Sequence, residues 1–167
     1  MKIQVNKKAV NFKLQSTSGK VFNLSDVRNG LVVYFYPKDN TPGCTLETKD
    51  FSVLYKKFKA LKYEVVGISK DNMESHIKFK KKFKVPFQLL SDEKIQVQKK
   101  YGVWGPKSFM GKKFMGTIRS TIVINKGKIT KVWSNVRVKD HAKEVLNFIK
   151  SSKKKGPISR ALILPKL

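Results

Sequence analysis

Residues 31–45, LVVYFYPKDNTPGCT, join a continuous apolar run to a turn and then to a different periodicity. The run LVVYFY predicts a strand that is buried on both faces, as in the middle of an α/β sheet. Thr41 is suited to the N-cap of a helix, and Pro42 to its first turn. From Thr41 to about residue 61, apolar residues recur at three-to-four spacing, which predicts an amphipathic helix. The stretch therefore predicts a buried strand followed directly by a helix.

Elements of the same two kinds alternate on either side of this unit. Before it, FKLQS and VFNLS alternate apolar and polar residues around a turn at Gly19, and they predict an N-terminal β-hairpin. After it, YEVVGIS at 63–69 predicts a second buried strand. A helix is then predicted through Ile77, Phe79 and Phe83, with Asp71 and Asn72 as its caps.

The second half of the chain continues this order. FQLL at 87–90 predicts a short strand, and SDEKIQVQKKYGV a short helix. TIRSTIVI at 117–124 and ITKVWSNV at 129–136 predict a hairpin about the turn NKGK. A last helix is predicted from about Asp140 to Lys150. The whole order predicts an α/β, thioredoxin-like fold with a central mixed sheet flanked by helices.

The chain is predicted to form one domain. It has 167 residues, shows no internal repeat, and contains no linker that would divide it. Residues 1–150 hold all the predicted strands and helices. Residues 151–167 follow the last helical pattern, and the stretch SSKKKGPISR carries no acid, so they are predicted to form a basic C-terminal tail.

The charge of the chain is strongly positive, with 37 basic and 11 acidic residues and a formal net charge of +26. Such a charge suits a nucleic-acid partner. However, only Arg28, Arg119, Arg137 and Arg160 are arginines, whereas bidentate recognition of phosphate or guanine favours arginine. The lysines are also not interleaved with aromatic residues that could stack on bases. We therefore expect no specific nucleic-acid binding, only a non-specific attraction to polyanions.

Cys44 is the only cysteine in the chain, so no disulfide can form within it. A single unpaired cysteine fits a reducing compartment better than an oxidising one. The start MKIQVNKKAV lacks a signal-peptide core, and the longest apolar run is too short to span a bilayer. We therefore expect a cytoplasmic protein that does not bind membranes.

Cys44 has two interpretations, a buried apolar residue or a nucleophile. Free cysteine is most often buried and inert. Here, however, the predicted fold places Cys44 at the carboxyl end of a buried strand and in the first turn of a helix, where open α/β sheets keep their sites. Unpaired backbone N–H groups and the helix dipole favour a thiolate there, and the N–H groups of Gly43 and Cys44 are free to hold a substrate oxygen.

Pro37, Thr41 and Cys44 form the pattern P-x-x-x-T-x-x-C, and with it the chain resembles the peroxiredoxins. More narrowly, it is similar to the bacterioferritin-comigratory-protein branch, also called peroxiredoxin Q. The similarity covers roughly residues 10–150 and includes, in the branch's order, the following segments: VVYFYPKDNTPGCTLE, GISKDNMESHIKFKKKF, VPFQLLSD, YGVWGPKSFMGKKFMGTIRSTIVI and KVWSNVRVKDHAKEVL.

The resemblance implies a role for each matched residue. Cys44 would be the peroxidatic thiolate, which attacks the O–O bond and becomes a sulfenic acid. Thr41 would bond the thiolate and the peroxide, Pro37 would shield the sulfur from water, and Arg119 would stabilise the developing oxygen charge. Glu47, one helical turn after Cys44, would orient Arg119.

Two of these residues, Arg119 and Thr41, also have a simpler interpretation. Arg119 would be a surface residue at the start of a strand, and Thr41 only a helix cap, a role compatible with binding peroxide. His76 and His141, with a single cysteine, are too few to indicate a metal site and are interpreted as ordinary structural or surface histidines. We expect neither a metal nor another cofactor.

The chain departs from many members of the family at Lys49, five residues after Cys44, where they carry a second, resolving cysteine. An external thiol would then have to reduce the sulfenic acid: thioredoxin, glutaredoxin or glutathione. We expect a monomer, with a dimer left open, that reduces hydrogen peroxide and organic hydroperoxides. The alternatives are a redox sensor, or a chaperone or polyanion-binding module on the same fold.

Overall fold

A computed structural model describes residues 3–154 of the chain. Its elements, in chain order, are as follows: β1 (Lys13–Ser16), β2 (Val21–Asn23), β3 (Gly30–Phe35), α1 (Pro42–Ala60), β4 (Tyr63–Ser69), α2 (Met73–Phe83), β5 (Gln88–Ser91), α3 (Gln96–Lys100), β6 (Trp104–Phe109), β7 (Lys112–Thr117), β8 (Ser120–Asn125), β9 (Lys128–Trp133) and α4 (His141–Lys154).

Seven of the strands form one mixed sheet in the order β2-β1-β5-β4-β3-β8-β9. β3, β4 and β5 are parallel, β8 and β9 add an antiparallel hairpin beside β3, and the N-terminal hairpin joins through antiparallel pairing of β1 with β5. The α/β, thioredoxin-like fold with a central mixed sheet is therefore confirmed, and so is the N-terminal hairpin.

The central strand β3 is buried on both faces, as its apolar sequence predicts. Val32 and Tyr34 pack into a core that includes Phe51 and Phe58 of α1 and the apolar side of α4. Leu31 and Val33 point to the opposite face and join a second core. Because side chains alternate along a strand, a continuous apolar run is what a strand between two cores requires.

Helix α1 begins at Pro42, after a six-residue loop that follows β3, and Thr41 occupies its N-cap position. The Thr41 side chain does not cap the helix, however, because its hydroxyl donates to the carbonyl oxygen of Lys38 at 2.8 Å. Leu46 belongs to the apolar periodicity but is half exposed.

In helix α2 the structure corrects two details of the sequence interpretation. Asn72 is the cap, since its side chain accepts from the Ser75 N–H, whereas Asp71 accepts from Ser69 and from the Asp39 N–H instead. Ile77, assigned to the apolar face, is exposed.

A second hairpin, β6 and β7, forms its own two-stranded sheet and was absent from the sequence prediction. Thr117 is the last residue of β7, so the strand predicted over 117–124 begins only at Ser120. Arg119 lies in the short link between β7 and β8.

Helix α4 runs to Lys154 rather than ending near Lys150. Residues 155–167 of the predicted basic tail lie outside the described residues. Within residues 3–154, no helix combines the length and the apolar character that crossing a bilayer demands.

Candidate active site

Cys44 lies in the first turn of α1, at the carboxyl end of β3, and only 1 % of its surface is exposed. The Thr45 N–H bonds to the Thr41 carbonyl at 2.9 Å. The N–H groups of Gly43 and Cys44 precede that bond, and the first N–H groups of a helix have no acceptor within the helix. The sulfur is thus placed beside backbone donors and the positive end of the helix dipole.

Arg119 contacts both Cys44 and Glu47. Its Nη2 donates to Cys44 Sγ at 3.3 Å, and its Nη1 donates to Glu47 Oε1 at 2.6 Å. A Cβ atom added at Gly43 would lie 3.3 Å from Arg119 Nη2, so the absence of a side chain at Gly43 leaves room for the guanidinium. Cys44, Glu47 and Arg119 therefore meet, although 72 residues separate Glu47 from Arg119.

The charges of this group influence one another in a buried setting. Burial would lower the pKa of Arg119, but the charges of Glu47 and Cys44 outweigh that effect and raise it. Burial raises the pKa of Glu47 to about 7, against the opposing effect of Arg119. Glu47 Oε2 is buried and has no hydrogen-bond partner among residues 3–154. Arg119 is thus a permanent cation next to the sulfur, whereas Glu47 titrates near neutral pH.

Lys107 of β6 is a second cation near this group, and the sequence analysis missed it. Its Nζ donates to the carbonyl oxygen of Thr117 at 2.8 Å. Burial lowers its pKa, and the positive charge of Arg119 lowers it further, while Cys44 acts in the opposite direction. One lysine in so lysine-rich a sequence carries no signal that would single it out.

Among residues 3–154, Thr41 makes no hydrogen bond to Cys44. The hydroxyl proton of Thr41 is directed to Lys38, so its oxygen remains available to accept a hydrogen bond from a substrate O–H. Pro37 is half-buried at the exit of β3. Lys49 is exposed on α1, two residues after the buried Glu47.

The loop between β3 and α1 is anchored by the buried carboxylate of Asp39. It accepts from the Tyr36 hydroxyl at 2.6 Å, from Ser75 Oγ at 2.8 Å and from His76 Nδ1 at 2.8 Å. His76 Nε2 lies 2.9 Å from the Leu90 carbonyl oxygen. Each ring nitrogen of His76 thus faces an acceptor, Nδ1 the Asp39 carboxylate and Nε2 a backbone carbonyl, which fixes the ring between the loop and β5. Burial would raise the pKa of Asp39, but the bond and charge of His76 hold it below its ordinary value.

Both histidines are buried, which excludes the surface alternative and leaves the structural one. His141 bonds Thr121 Oγ1 at 2.7 Å and places its ring edge-on to Phe51 and Trp133. Asp39, Asp71 and His76 offer three potential ligand atoms within 4.8 Å of one another. Their side chains are already engaged in the hydrogen bonds that fix the loop.

Comparison with known proteins gives concordant matches. The model of the AhpC/TSA family matches residues 5–132, a range that contains both Cys44 and Arg119. Peroxiredoxin Bcp of Bacillus subtilis is 41% identical over 157 residues, covering 93% of this chain and 100% of that one. Peroxiredoxin Bcp of Escherichia coli K12 is 40% identical over 144 residues, covering 85% and 92%.

Solved structures with similar folds have comparable identities. A cysteine-to-serine mutant of Xylella fastidiosa PrxQ superposes with a TM-score of 0.85 at 33% identity, covering 90% of this chain and 98% of that one. The bacterioferritin comigratory protein of Xanthomonas campestris, described by its alkyl peroxide reduction activity, gives a TM-score of 0.80 at 34% identity, covering 84% and 91%.

Proposed function

This chain belongs to the AhpC/TSA family, among peroxiredoxins of the Bcp and PrxQ type, and on that basis we propose that Cys44 is its single peroxidatic cysteine. The protein is a thiol-dependent peroxidase. Its proposed substrates are hydrogen peroxide and organic hydroperoxides, and an external thiol completes each cycle. The observation that carries the proposal is the 3.3 Å hydrogen bond from Arg119 Nη2 to Cys44 Sγ in the first turn of α1.

In the first half of the cycle the Cys44 thiolate attacks the terminal oxygen of the hydroperoxide. An S–O bond forms, the O–O bond breaks, and the electron pair leaves on the alkoxide or hydroxide, which takes a proton to give alcohol or water. The Arg119 guanidinium and the backbone N–H groups of Gly43 and Cys44 stabilise the negative charge on the oxygens as the bond breaks. The Thr41 oxygen accepts the hydrogen bond of the protonated peroxide.

In the second half an external thiol reduces the Cys44 sulfenic acid. Two thiol groups supply two electrons, the sulfenic oxygen leaves as water, and Cys44 returns to the thiol while the donor becomes a disulfide. Cys44 is the only cysteine, and Lys49 stands where the resemblance to many family members implies a resolving cysteine. Because Cys44 is 1 % exposed, the first turn of α1 must open before a thiol donor reaches the sulfur.

The proposal is tested by measuring peroxide consumption with several thiol donors: dithiothreitol, glutathione with glutaredoxin, and thioredoxin. Without a donor, one equivalent of peroxide should be consumed per chain, because Cys44 is oxidised once. With an effective donor, turnover should be catalytic and each peroxide should oxidise two thiol groups. Failure to consume peroxide with any of these donors would contradict the proposal, as would consumption that leaves the thiols reduced.

A further inference from the structure

The β6–β7 hairpin carries four large apolar side chains that are exposed to solvent. Phe109 is 67% exposed, Met110 87%, Phe114 47% and Met115 54%. The two strands form a sheet of their own, and none of these four side chains belongs to either apolar core of the domain. Exposed apolar side chains that are grouped rather than scattered mark an interaction site.

Strand register brings two of these side chains to one face together with two lysines. Phe114 is directly opposite Lys107, and Phe109 is directly opposite Lys112. Directly opposed residues lie on the same face of a ribbon, and so do residues two apart along a strand. We call this set of four residues the hairpin face. Residues 104–117 contain three lysines, Lys107, Lys112 and Lys113, and no acidic residue.

The hairpin face adjoins the candidate active site. Lys107 belongs to it and bonds the carbonyl oxygen of Thr117, where β7 ends, only two residues before Arg119. The burial of Lys107 and the influence of Arg119 and Cys44 on its pKa indicate the same proximity. The Ile118 N–H bonds the Val103 carbonyl at 2.7 Å and holds the base of the hairpin to the main domain. A molecule bound to this face is thereby held beside the Cys44 region.

We propose that the hairpin face is the docking surface for the protein thiol that reduces oxidised Cys44, a partner with an apolar surface rimmed by acidic residues around its exposed cysteine. This inference rests on the proposed function. A small thiol such as dithiothreitol needs only access to the sulfur and no docking surface. Exposed phenylalanines provide the apolar contact area that a protein donor would use. Lys107 and Lys112 of the face favour an acidic rim, and the net charge of +26 disfavours a second copy of this chain.

The docked partner carries out the reduction in two steps. Its thiolate attacks the sulfur of the Cys44 sulfenic acid, so that an S–S bond forms, the S–O bond breaks, and the oxygen leaves as water after protonation. A second thiol of the partner then attacks the partner's own sulfur in the mixed disulfide. Cys44 is released as a thiol and the partner becomes a disulfide, so two electrons pass from the partner to Cys44.

The test compares three rates in the double variant Phe109→Ser/Phe114→Ser with those in the unchanged chain. These are oxidation of Cys44 by hydrogen peroxide, reduction of oxidised Cys44 by dithiothreitol, and its reduction by thioredoxin or by glutaredoxin, each measured separately. We expect the first two rates to be unchanged. The rate with at least one of the two proteins should fall at least about tenfold, as for the loss of an interface anchor.

The matched control is Val53→Ser, which removes another exposed apolar side chain, 80% exposed, from α1. It should leave all three rates unchanged. A second comparison sets Lys112→Glu on the hairpin face against Lys56→Glu on α1, two lysines that are both exposed. Only Lys112→Glu should slow reduction by the protein thiol, and by a factor that shrinks as salt is added.

Several results would overturn the docking proposal while leaving the peroxidase proposal intact. One is an unchanged rate with both proteins in the phenylalanine variant. Another is an equal loss with dithiothreitol, which would indicate damage to the site. A third is binding to phosphatidylserine vesicles that depends on Phe109 and Phe114 while reduction by both proteins does not. Failure of both proteins to outpace dithiothreitol would also reject the docking proposal.

Discussion

At the scale of single residues, the reactivity proposed for Cys44 depends on Arg119. A thiolate attacking an O–O bond transfers negative charge to the leaving oxygen, and a buried cation whose position is fixed in advance stabilises that charge most effectively. Arg119 bonds Cys44 and Glu47 at once, so its two terminal nitrogens have fixed positions. A lysine has no such planar fork and would hold only one of these partners well.

Replacing Arg119 with alanine should slow the reaction of Cys44 with hydrogen peroxide by about 10²–10³-fold, because one charged donor to the transition state is lost. Arg119→Lys should recover part of the rate by restoring the charge without the fork. Stopped-flow measurement of Cys44 oxidation gives these rates. Arg137→Ala is the control, since Arg137 is exposed, and it should react at the unchanged rate. Equal rates for Arg119→Ala and Arg137→Ala would exclude a catalytic role for Arg119.

Glu47 should make stability depend on pH. Its pKa is about 7 in the folded chain, above its ordinary value of 4.5, because burial disfavours the carboxylate. The folded state therefore binds the proton more tightly, and the stability it contributes is complete below pH 4.5 and is lost as the pH rises through about 7. The free energy of unfolding, relative to that of Glu47→Gln, should decrease by roughly 2–3 kcal/mol between about pH 5 and about pH 8.

Urea denaturation at both pH values measures this difference. The control is Glu74→Gln, which alters a carboxylate that is 75% exposed and should leave the pH dependence of the natural chain unchanged. If Glu47→Gln kept the same pH dependence as the natural chain, the carboxyl would not titrate in the folded protein as expected.

At the scale of elements, the buried carboxylate of Asp39 anchors the loop between β3 and α1. This carboxylate connects the loop to Ser75 and His76 at the start of α2, and His76 in turn bonds the Leu90 carbonyl of β5. The Asp39 N–H also donates to Asp71, just after β4. The loop that carries Pro37 and Thr41 is thereby attached to two neighbouring parallel strands and one helix.

Asp39→Asn should lower the free energy of unfolding by about 3 kcal/mol, because the buried donors of Tyr36, Ser75 and His76 would lose their charged acceptor. Oxidation of Cys44 should slow as well, since the loop before α1 loses its anchor. Chemical denaturation and stopped-flow oxidation measure the two effects. Asp26→Asn changes an exposed aspartate and serves as the control. A loss of stability no greater than that of Asp26→Asn would mean that the Asp39–His76 pair does not hold the loop.

The elements that the sequence predicts well are those whose burial determines their composition. β4 begins and ends where YEVVGIS does, and β3 is buried throughout, because a strand between two cores must be apolar along its length. The β6–β7 hairpin was not predicted, because burial does not determine its composition. It lies outside both cores, so nothing imposes a regular apolar pattern on WGPKSF and KKFMGT.

The candidate site was predictable only in part, because some of its contacts are local in the sequence and others join distant segments. Cys44 and Glu47 are one helical turn apart, so their proximity follows from local geometry. The position of Arg119 against them depends on the long-range pairing of β3 with β8, which local geometry does not give. Only the resemblance to the family pattern predicts its role. Asp39 carried no sequence signal, because its importance comes from a histidine 37 residues away.

At the scale of the whole molecule, a chain with one cysteine has no internal protection for its oxidised sulfur. Excess hydrogen peroxide without a thiol donor should therefore convert Cys44 beyond the sulfenic to the sulfinic and sulfonic acids. Intact-mass spectrometry should show the added oxygen atoms, and dithiothreitol should no longer restore the thiol. The same treatment with a thiol donor present is the control and should preserve Cys44. Complete recovery by dithiothreitol after excess peroxide would show that the sulfenic acid is protected in another way.

The claim that Cys44 alone carries the peroxidase activity is tested most directly by the Cys44→Ser variant. Peroxide consumption is measured with the thiol donor that gives the highest turnover in the natural chain. We expect consumption to fall to the rate of the donor alone, because serine provides no thiolate and the chain has no other cysteine. Folding is checked by urea denaturation of the same sample. A folded Cys44→Ser variant that still consumed peroxide faster than the donor alone would contradict the account.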